Sequence, residues 1–271
     1  MEKTLTDLLF MSQKRKDLLL LLKKGSKNID EIVDELHVNP TGMLPQIKKL
    51  KEEYLIIQND RDYVLSPLGE ILVEKMEPLL DILEVIEENE DFWQERDLSG
   101  VPTTFLERLN ELKPSSLIRP NPDNIFEPPK KFMENIKKSK HILSLSSVFH
   151  PLYLKTFLEK KDEENEITLI VTEGVFTRFE NDFKEELENF LTQEKKKLFV
   201  LSDEIKIAML TKTECFMMVN FLTYKGTFDQ ENVLCFGPAA LQWAEDLILH
   251  YKEQAREISG NELTEPRKLR T

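Results

Sequence analysis

Few side chains in this chain stand where they can do covalent chemistry. Its four histidines, His37, His141, His150 and His250, form no pair four residues apart and no set with cysteine. That spacing does not suit a metal site. His250, Lys252 and Glu257 copy the H-x-K-x-x-x-x-D pattern of phosphodiester-cleaving enzymes, with Glu in place of Asp. That chemistry needs a nucleophilic histidine at the mouth of a strand, whereas "PAALQWAEDLILHYKEQA" reads as a closing helix burying Leu241, Trp243 or Ala244, Leu247, Ile248 and Tyr251. The match is therefore read as chance. No G-x-S-x-G turn, glycine-rich phosphate loop or paired carboxylates appear, so no catalytic residue and no cofactor is expected.

Two short stretches are better suited to binding than to catalysis. "SLSSVFHP" (144–151) and "VTEG" (171–174) each follow an expected strand, and ligands of open α/β sheets settle at the carboxyl ends of strands. Ser146, Ser147, His150 and Glu173 are thus candidates for a small-molecule effector site. The competing reading makes the serines helix caps and the others an exposed turn; both stay open. Cys215 and Cys235 fall on expected neighbouring strands with apolar flanks, and read as inert buried thiols.

The other chemistry is electrostatic and lies in "HVNPTGMLPQIKKL" (37–50). Asn39 is a good helix cap and Pro40 suits the first helical position. With Leu44, Ile47 and Leu50 turned inward, Thr41, Met43, Gln46 and Lys49 face outward. There glutamine can pair with adenine, and threonine or methionine can touch a thymine methyl. Lys14, Arg15, Lys48 and Arg61 are expected to hold phosphates of double-stranded DNA.

The elements that must position these residues can be read from periodicity. A helix over 6–24 ends at Gly25, a second begins after Asn28, and the helix starting at Asn39 completes a helix-turn-helix. Two short β-like runs, 55–58 and 63–66, are joined by the polar turn "NDRD" and form a wing. Leu68, Leu72, Met76, Leu79, Leu83 and Ile86 then recur at three- and four-residue intervals, close to a heptad seam for self-association. Pro78 is expected to kink it or split it in two. "RDLSGVP" (96–102) marks a boundary. Beyond it, helical patterns alternate with the apolar runs 141–147, 166–172, 198–202, 205–211 and 215–223, the mark of an α/β domain.

The expected fold is therefore an α+β winged helix over 1–67, an acidic linker and dimerisation helix over 68–100, an α/β effector domain over 101–258, and a flexible tail over 259–271. The formal net charge is −13, yet this does not exclude DNA. Residues 1–66 hold 11 basic and 11 acidic side chains, residues 67–97 hold 2 against 11, and residues 98–271 hold 24 against 28. The acidity sits mostly in the linker, and salt screens it over a Debye length of about 8 Å. The N-terminal stretch has no signal-like apolar core, and the leucine run from Leu18 to Leu22 is too short to span a bilayer. With two cysteines, the expectation is a cytoplasmic protein without membrane attachment.

"SQKRKDLLLLLKKG", "NPTGMLPQIKKLKEEYLI", "YVLSPLGEILVEKMEPLLDILEVIEENEDFWQERDLSGVP" and "GTFDQENVLCFGPAALQWAEDLILHYK" together resemble the archaeal winged-helix transcriptional regulators. These come mostly from methanogens, are often termed ArsR-like, and carry a Fil-type methanogenesis-regulator middle domain. The resemblance covers roughly residues 8–256. It implies a sequence-specific DNA-binding regulator with a C-terminal effector domain, reminiscent in fold of catalytically inactive phospholipase D-like domains. The family's recognition pattern falls on Pro40, Thr41, Met43, Leu44, Pro45, Gln46, Ile47, Lys48 and Lys49, and its S-x-K-R start on Ser12, Lys14 and Arg15. Its S-S-x-F-H-P motif falls on Ser146, Ser147, Phe149, His150 and Pro151, and T-E-x-V-F on Thr172, Glu173, Val175 and Phe176. Ala244, where the family more usually has glycine, and a shortened turn after Asp229 are departures. The implied molecule is a homodimer on a palindromic site, tuned by a small-molecule effector. Alternatives are an enzyme of small-molecule or phosphodiester chemistry in residues 103–256, and a protein-interaction adaptor.

Overall fold

Thr4 opens the first helix of the computed structural model, which describes residues 4–121, 127–160 and 162–259. Its hydroxyl accepts from the Asp7 N–H while the Asp7 carboxylate accepts from the Thr4 N–H, a reciprocal cap on α1 (Leu5–Phe10). In α2 (Gln13–Lys23) the leucine run covers more than one side, so Leu18, Leu19, Leu21 and Leu22 are all buried. A two-residue strand β1 (Lys27–Asn28) leads into α3 (Ile29–Glu35), capped by Asn28 with Glu31 reaching back. Asn39 accepts from the Gly42 N–H at 2.6 Å and starts α4 (Pro40–Glu52). The hairpin β2 (Ile56–Asn59) and β3 (Asp62–Leu65) follows, with β1 on the far side of β3. Leu18, Leu19, Ile32, Met43, Leu50 and Leu55 close the core with no exposed surface. Burying each such side chain contributes about 1.5–3 kcal/mol.

The long helix α5 (Pro67–Glu87) is continuous, with Pro78 inside it rather than dividing it. Gly69 in its first turn lies so near the Leu55 carbonyl that a Cβ would sit 2.0 Å from that oxygen. Only glycine permits this approach. The chain divides into two compact units within α5, at Met1–Asp81 and Ile82–Thr271. Val73 and Met76 belong to the first core and Val85 to the second. The segment 68–100 is therefore not a separate connector, and the expected boundary at 96–102 lies inside the second unit. Of the expected seam, Leu68, Leu79 and Leu83 are exposed, whereas Met76 is buried in its own unit.

The second unit begins with the end of α5 and α6 (Glu90–Glu95), whose Phe92 and Trp93 are buried. After α7 (Thr103–Leu106) come β4 (Ser115–Ile118), α8 (Lys130–Lys138), β5 (His141–Ser146), α9 (Pro151–Leu158), β6 (Glu166–Thr172), α10 (Glu173–Asp182) and α11 (Lys184–Leu191). The chain continues through β7 (Lys196–Leu201), β8 (Ile207–Thr213), β9 (Met217–Phe221), β10 (Asn232–Cys235), α12 (Pro238–Lys252) and β11 (Arg256–Glu257). The strands form one sheet in the order β11-β7-β6-β5-β8-β9-β10-β4, with β5, β6 and β7 parallel and the other pairings antiparallel. Period-two alternation sends Leu198 and Val200 into one core with α8 to α11, and Phe199 and Leu201 into the other with α12. The result is a three-layer α/β/α unit.

One detail differs from expectation. Cys215 is exposed and lies in the turn before β9, while Cys235 is buried on β10. Beyond Ser259, the expected tail lies outside the described residues. Among the described residues, no helix is long and apolar enough to cross a membrane, and no group of three or more His, Cys, Asp or Glu is placed to hold a metal ion.

Candidate nucleic-acid interface and ligand cavity

In the first unit, the face of α4 turned to solvent carries Thr41, Leu44, Pro45, Lys48 and Lys51. Met43 is fully buried and Leu44 is 46% exposed, the reverse of the expected pair. Positions 43-47-50 and 44-47-50 both satisfy helical spacing. Packing of α4 on α2 and α3 selects the first set, so Met43 is a core residue and Leu44 takes its place on the open face.

Arg15 also changes role. It is 9% exposed, and its guanidinium donates to the Leu8 carbonyl at 2.5 Å, the Asp7 carbonyl at 3.1 Å and the Gln46 side-chain oxygen at 2.8 Å. Such a group cannot reach a phosphate; it clamps α1 and α4 onto α2. Through this contact Gln46 is half-buried with one lone pair of its oxygen engaged, while its amide NH2 remains a donor. Lys49 is half-buried too, and Lys48 is exposed 3.8 Å from Glu52. That exposed pair contributes little to stability and leaves the lysine available.

Lys14 stands at the amino end of α4. A Cβ at Gly42 would meet its ammonium at 2.9 Å and Asn39 Oδ1 at the same distance. A helix N-terminus beside an ammonium is a ready anion site. Arg61 is exposed at the hairpin turn, and Lys51 donates to Gln58 on β2 at 2.7 Å. Lys51 and Leu44 are surface residues that periodicity did not single out; the hairpin pairing in space was the missing signal.

In the second unit, a cavity of about 30 Å³ lies at the carboxyl ends of β5 and β6. Ser144, Ser146 and His150 reach it from β5 and the turn after it, Tyr153 and Phe157 from α9, and Met209 from β8. The sequence candidates divide here. Ser146 and His150 line the cavity, whereas Ser147 donates to the Ile207 carbonyl at 2.8 Å and Glu173 pairs with Arg256 at 3.3 Å. The Ser146 hydroxyl lies 2.8 Å from the Val148 carbonyl and 3.2 Å from that of Ala208.

Tyr153 and Phe228 were not legible as site residues. Tyr153 is 3% exposed, and its hydroxyl has no hydrogen-bond partner among the described residues. Burial pushes its phenol well above the usual tyrosine range. The His150 ring packs edge-on against Tyr153 at 4.7 Å and Phe228 at 6.4 Å.

Comparison with known proteins bears on both units. Residues 3–84 match the N-terminal domain family of methanogenesis regulatory protein FilR1, and residues 125–254 match the middle domain family of the same protein. The chain is 26% identical over 258 residues to the FilR1 of Methanothrix harundinacea, an alignment covering 93% of this chain and 58% of that relative. It thus spans a little over half of that relative's length. It is also 33% identical over 78 residues to the HTH-type transcriptional regulator MntR of Geobacillus thermodenitrificans, covering 27% of this chain and 55% of that one. Among solved structures, TrmBL2, described as an archaeal chromatin protein with a novel mode of DNA binding, aligns over 91% of this chain and 94% of its own at 12% identity, with a TM-score of 0.44.

Proposed function

We propose that this protein is a DNA-binding transcriptional regulator of the FilR1 kind, from a methanogen, with a winged helix in its first unit and an effector-sensing domain in its second. The observation that carries the reading is the open face of α4, with Lys14 at its amino end, Thr41, Leu44 and Lys48 along it, and Arg61 on the adjoining hairpin. The matches to the two FilR1 domain families support it. In this reading α4 enters the major groove, where Thr41 and the Gln46 amide meet base edges and Leu44 meets thymine methyls. Lys14, Lys48 and Arg61 hold the phosphates that fix register.

The protein acts as a homodimer joined along the exposed side of α5, so that two readers address a palindromic site. A small molecule in the second unit alters DNA affinity only by favouring one arrangement of the dimer over another. Selection from random duplexes with the full chain tests the proposal. The expected outcome is an enriched inverted repeat with half-sites separated by about one or two turns of roughly 10 base pairs. Recovery of random sequence from successive rounds contradicts it.

A further inference from the structure

The cavity beside His150 is lined by Tyr153 and by Phe228, whose ring faces that of His150 edge-on at 6.4 Å. Three features define what belongs there. First, the residues lining it include no Asp, Glu, Lys or Arg, and most are apolar: Val148, Phe157, Leu169, Val171 and Phe179 among them. A charged ligand would lose its hydration there with no Asp, Glu, Lys or Arg to pair with, at a cost of several kcal/mol. Second, the Tyr153 hydroxyl is buried without a partner among the described residues. An unsatisfied buried hydroxyl costs about 1–3 kcal/mol, which phenylalanine at this position would avoid. Third, at about 30 Å³ the empty space suits only a water, but one wall is the half-buried Phe228, carried on the connection between β9 and β10.

We propose that this cavity receives an uncharged molecule made of one apolar ring and one hydroxyl or carbonyl group. Its ring takes the place of the Phe228 side chain against His150, and its polar group makes the hydrogen bond that Tyr153 lacks. The Phe228 ring is a placeholder of the same size and apolar character as the ligand, without the polar group. This rests on the reading of the second unit as the sensing domain and specifies what that domain senses.

Phenol, toluene and benzoate carry the same ring with a hydroxyl, with no polar group and with a carboxylate. Each is titrated into the full-length protein without DNA, followed by ligand-observed NMR, in the wild type and in Tyr153→Phe and Phe228→Ala variants whose folding is checked by circular dichroism. Phenol should bind saturably and ahead of both toluene and benzoate. Tyr153→Phe, which keeps the ring, should lower phenol affinity about fivefold while leaving toluene unchanged. Phe228→Ala should tighten phenol and toluene alike, since neither then has to displace a side chain. Benzoate binding as tightly as phenol, an unchanged phenol-to-toluene preference in Tyr153→Phe, or no saturable binding to Phe228→Ala each overturns the proposal. Duplex affinity is read separately. Loss of the phenol result in a protein that still selects a DNA site overturns the ligand assignment alone, and phenol binding in a protein that selects no site overturns the regulator reading instead.

Discussion

The Arg96 guanidinium donates to the Glu231 carboxylate at 3.1 Å, and so ties the loop that carries Phe228 to the segment that follows α5. Arg96 is 1% exposed, also pairs with Asp229, donates to the Phe92 carbonyl at 3.1 Å and lies 4.3 Å from the centre of the Phe92 ring. Backbone bonds from Asp97 to Leu222 at 2.8 Å and from Tyr224 to Glu95 at 3.1 Å reinforce the junction. Trp93 in turn donates its indole N–H to the Val85 carbonyl, in the last turns of α5, at 3.0 Å. A contiguous set of contacts therefore leads from the cavity wall to the end of α5.

Replacing Arg96 with methionine should destabilise the fold by about 2–3 kcal/mol, because the partly buried Asp229 loses its Arg96 partner and Glu231 is left with Arg119 alone. It should also confine the effect of a cavity ligand. In hydrogen exchange, phenol should alter protection over 224–231 and over 85–96 in the wild type, but only over 224–231 in Arg96→Met. Equal changes at 85–96 in both proteins would place the coupling elsewhere.

The two thiols should behave as opposites. Burial pushes Cys235 up to about 12, and its sulfur lies 3.1 Å from the Leu112 carbonyl; Cys215 is exposed. Iodoacetamide at pH 8, read by peptide mass spectrometry, should label Cys215 in the native protein and Cys235 only after denaturation, since the thiolate is the reactive form. Equal labelling of both in the native state would contradict the buried placement of β10.

Glu214 gives the second unit a defined weakness to acid. Burial alone would raise its carboxyl, but the backbone N–H groups of Lys140, Glu214 itself and His141 together hold it below the usual range. The bonds from Lys140 and His141 measure 2.9 and 3.3 Å. A carboxylate depressed in the folded state contributes stability above its unfolded value and loses it as pH falls through the folded one. Stability should therefore decline from about pH 4.5 downward, and Glu214→Gln should flatten that part of the profile while lowering stability near neutrality. Parallel profiles for the two proteins in urea melts would rule out this contribution.

Along α5, Leu68, Ile71, Leu79 and Leu83 stay exposed, Ile71 at 59%. In the proposed dimer this exposed apolar row is the association surface. Light scattering should find a dimer at micromolar concentration in the wild type and a monomer in the Ile71→Glu, Leu79→Glu double variant, with its melting temperature retained. A dimer that survives both substitutions would move the interface away from α5.

The order of elements was legible from periodicity and caps because local chemistry decides it: Asn28 and Asn39 accept the first helical N–H groups wherever the helices later pack. Strands β5, β6 and β7 were legible for a related reason, as buried parallel strands are continuous apolar runs between helical patterns. What depends on packing was not. Met43 and Leu44 have equal claims to the inward face until α2 and α3 are in place. Arg15 is indistinguishable from a phosphate-binding arginine until the Leu8 and Asp7 carbonyls come within reach. Strand β4 pairs with β10 across more than a hundred residues, and Phe228 meets His150 across 78. No local pattern in the sequence encodes such contacts.

The central claim is that the open face of α4 reads DNA, and fluorescence anisotropy on a selected duplex at several salt concentrations tests it most directly. Lys48→Ala should keep the fold, weaken binding to selected and scrambled duplexes alike, and reduce the slope of log affinity against log salt by about one. Thr41→Ala and Leu44→Ala should instead erode the preference for the selected duplex, while Met43→Ala should act through stability, by about 2–5 kcal/mol. Affinity that is independent of salt and indifferent to Lys48, Thr41 and Leu44 would contradict the assignment of α4 as the reader.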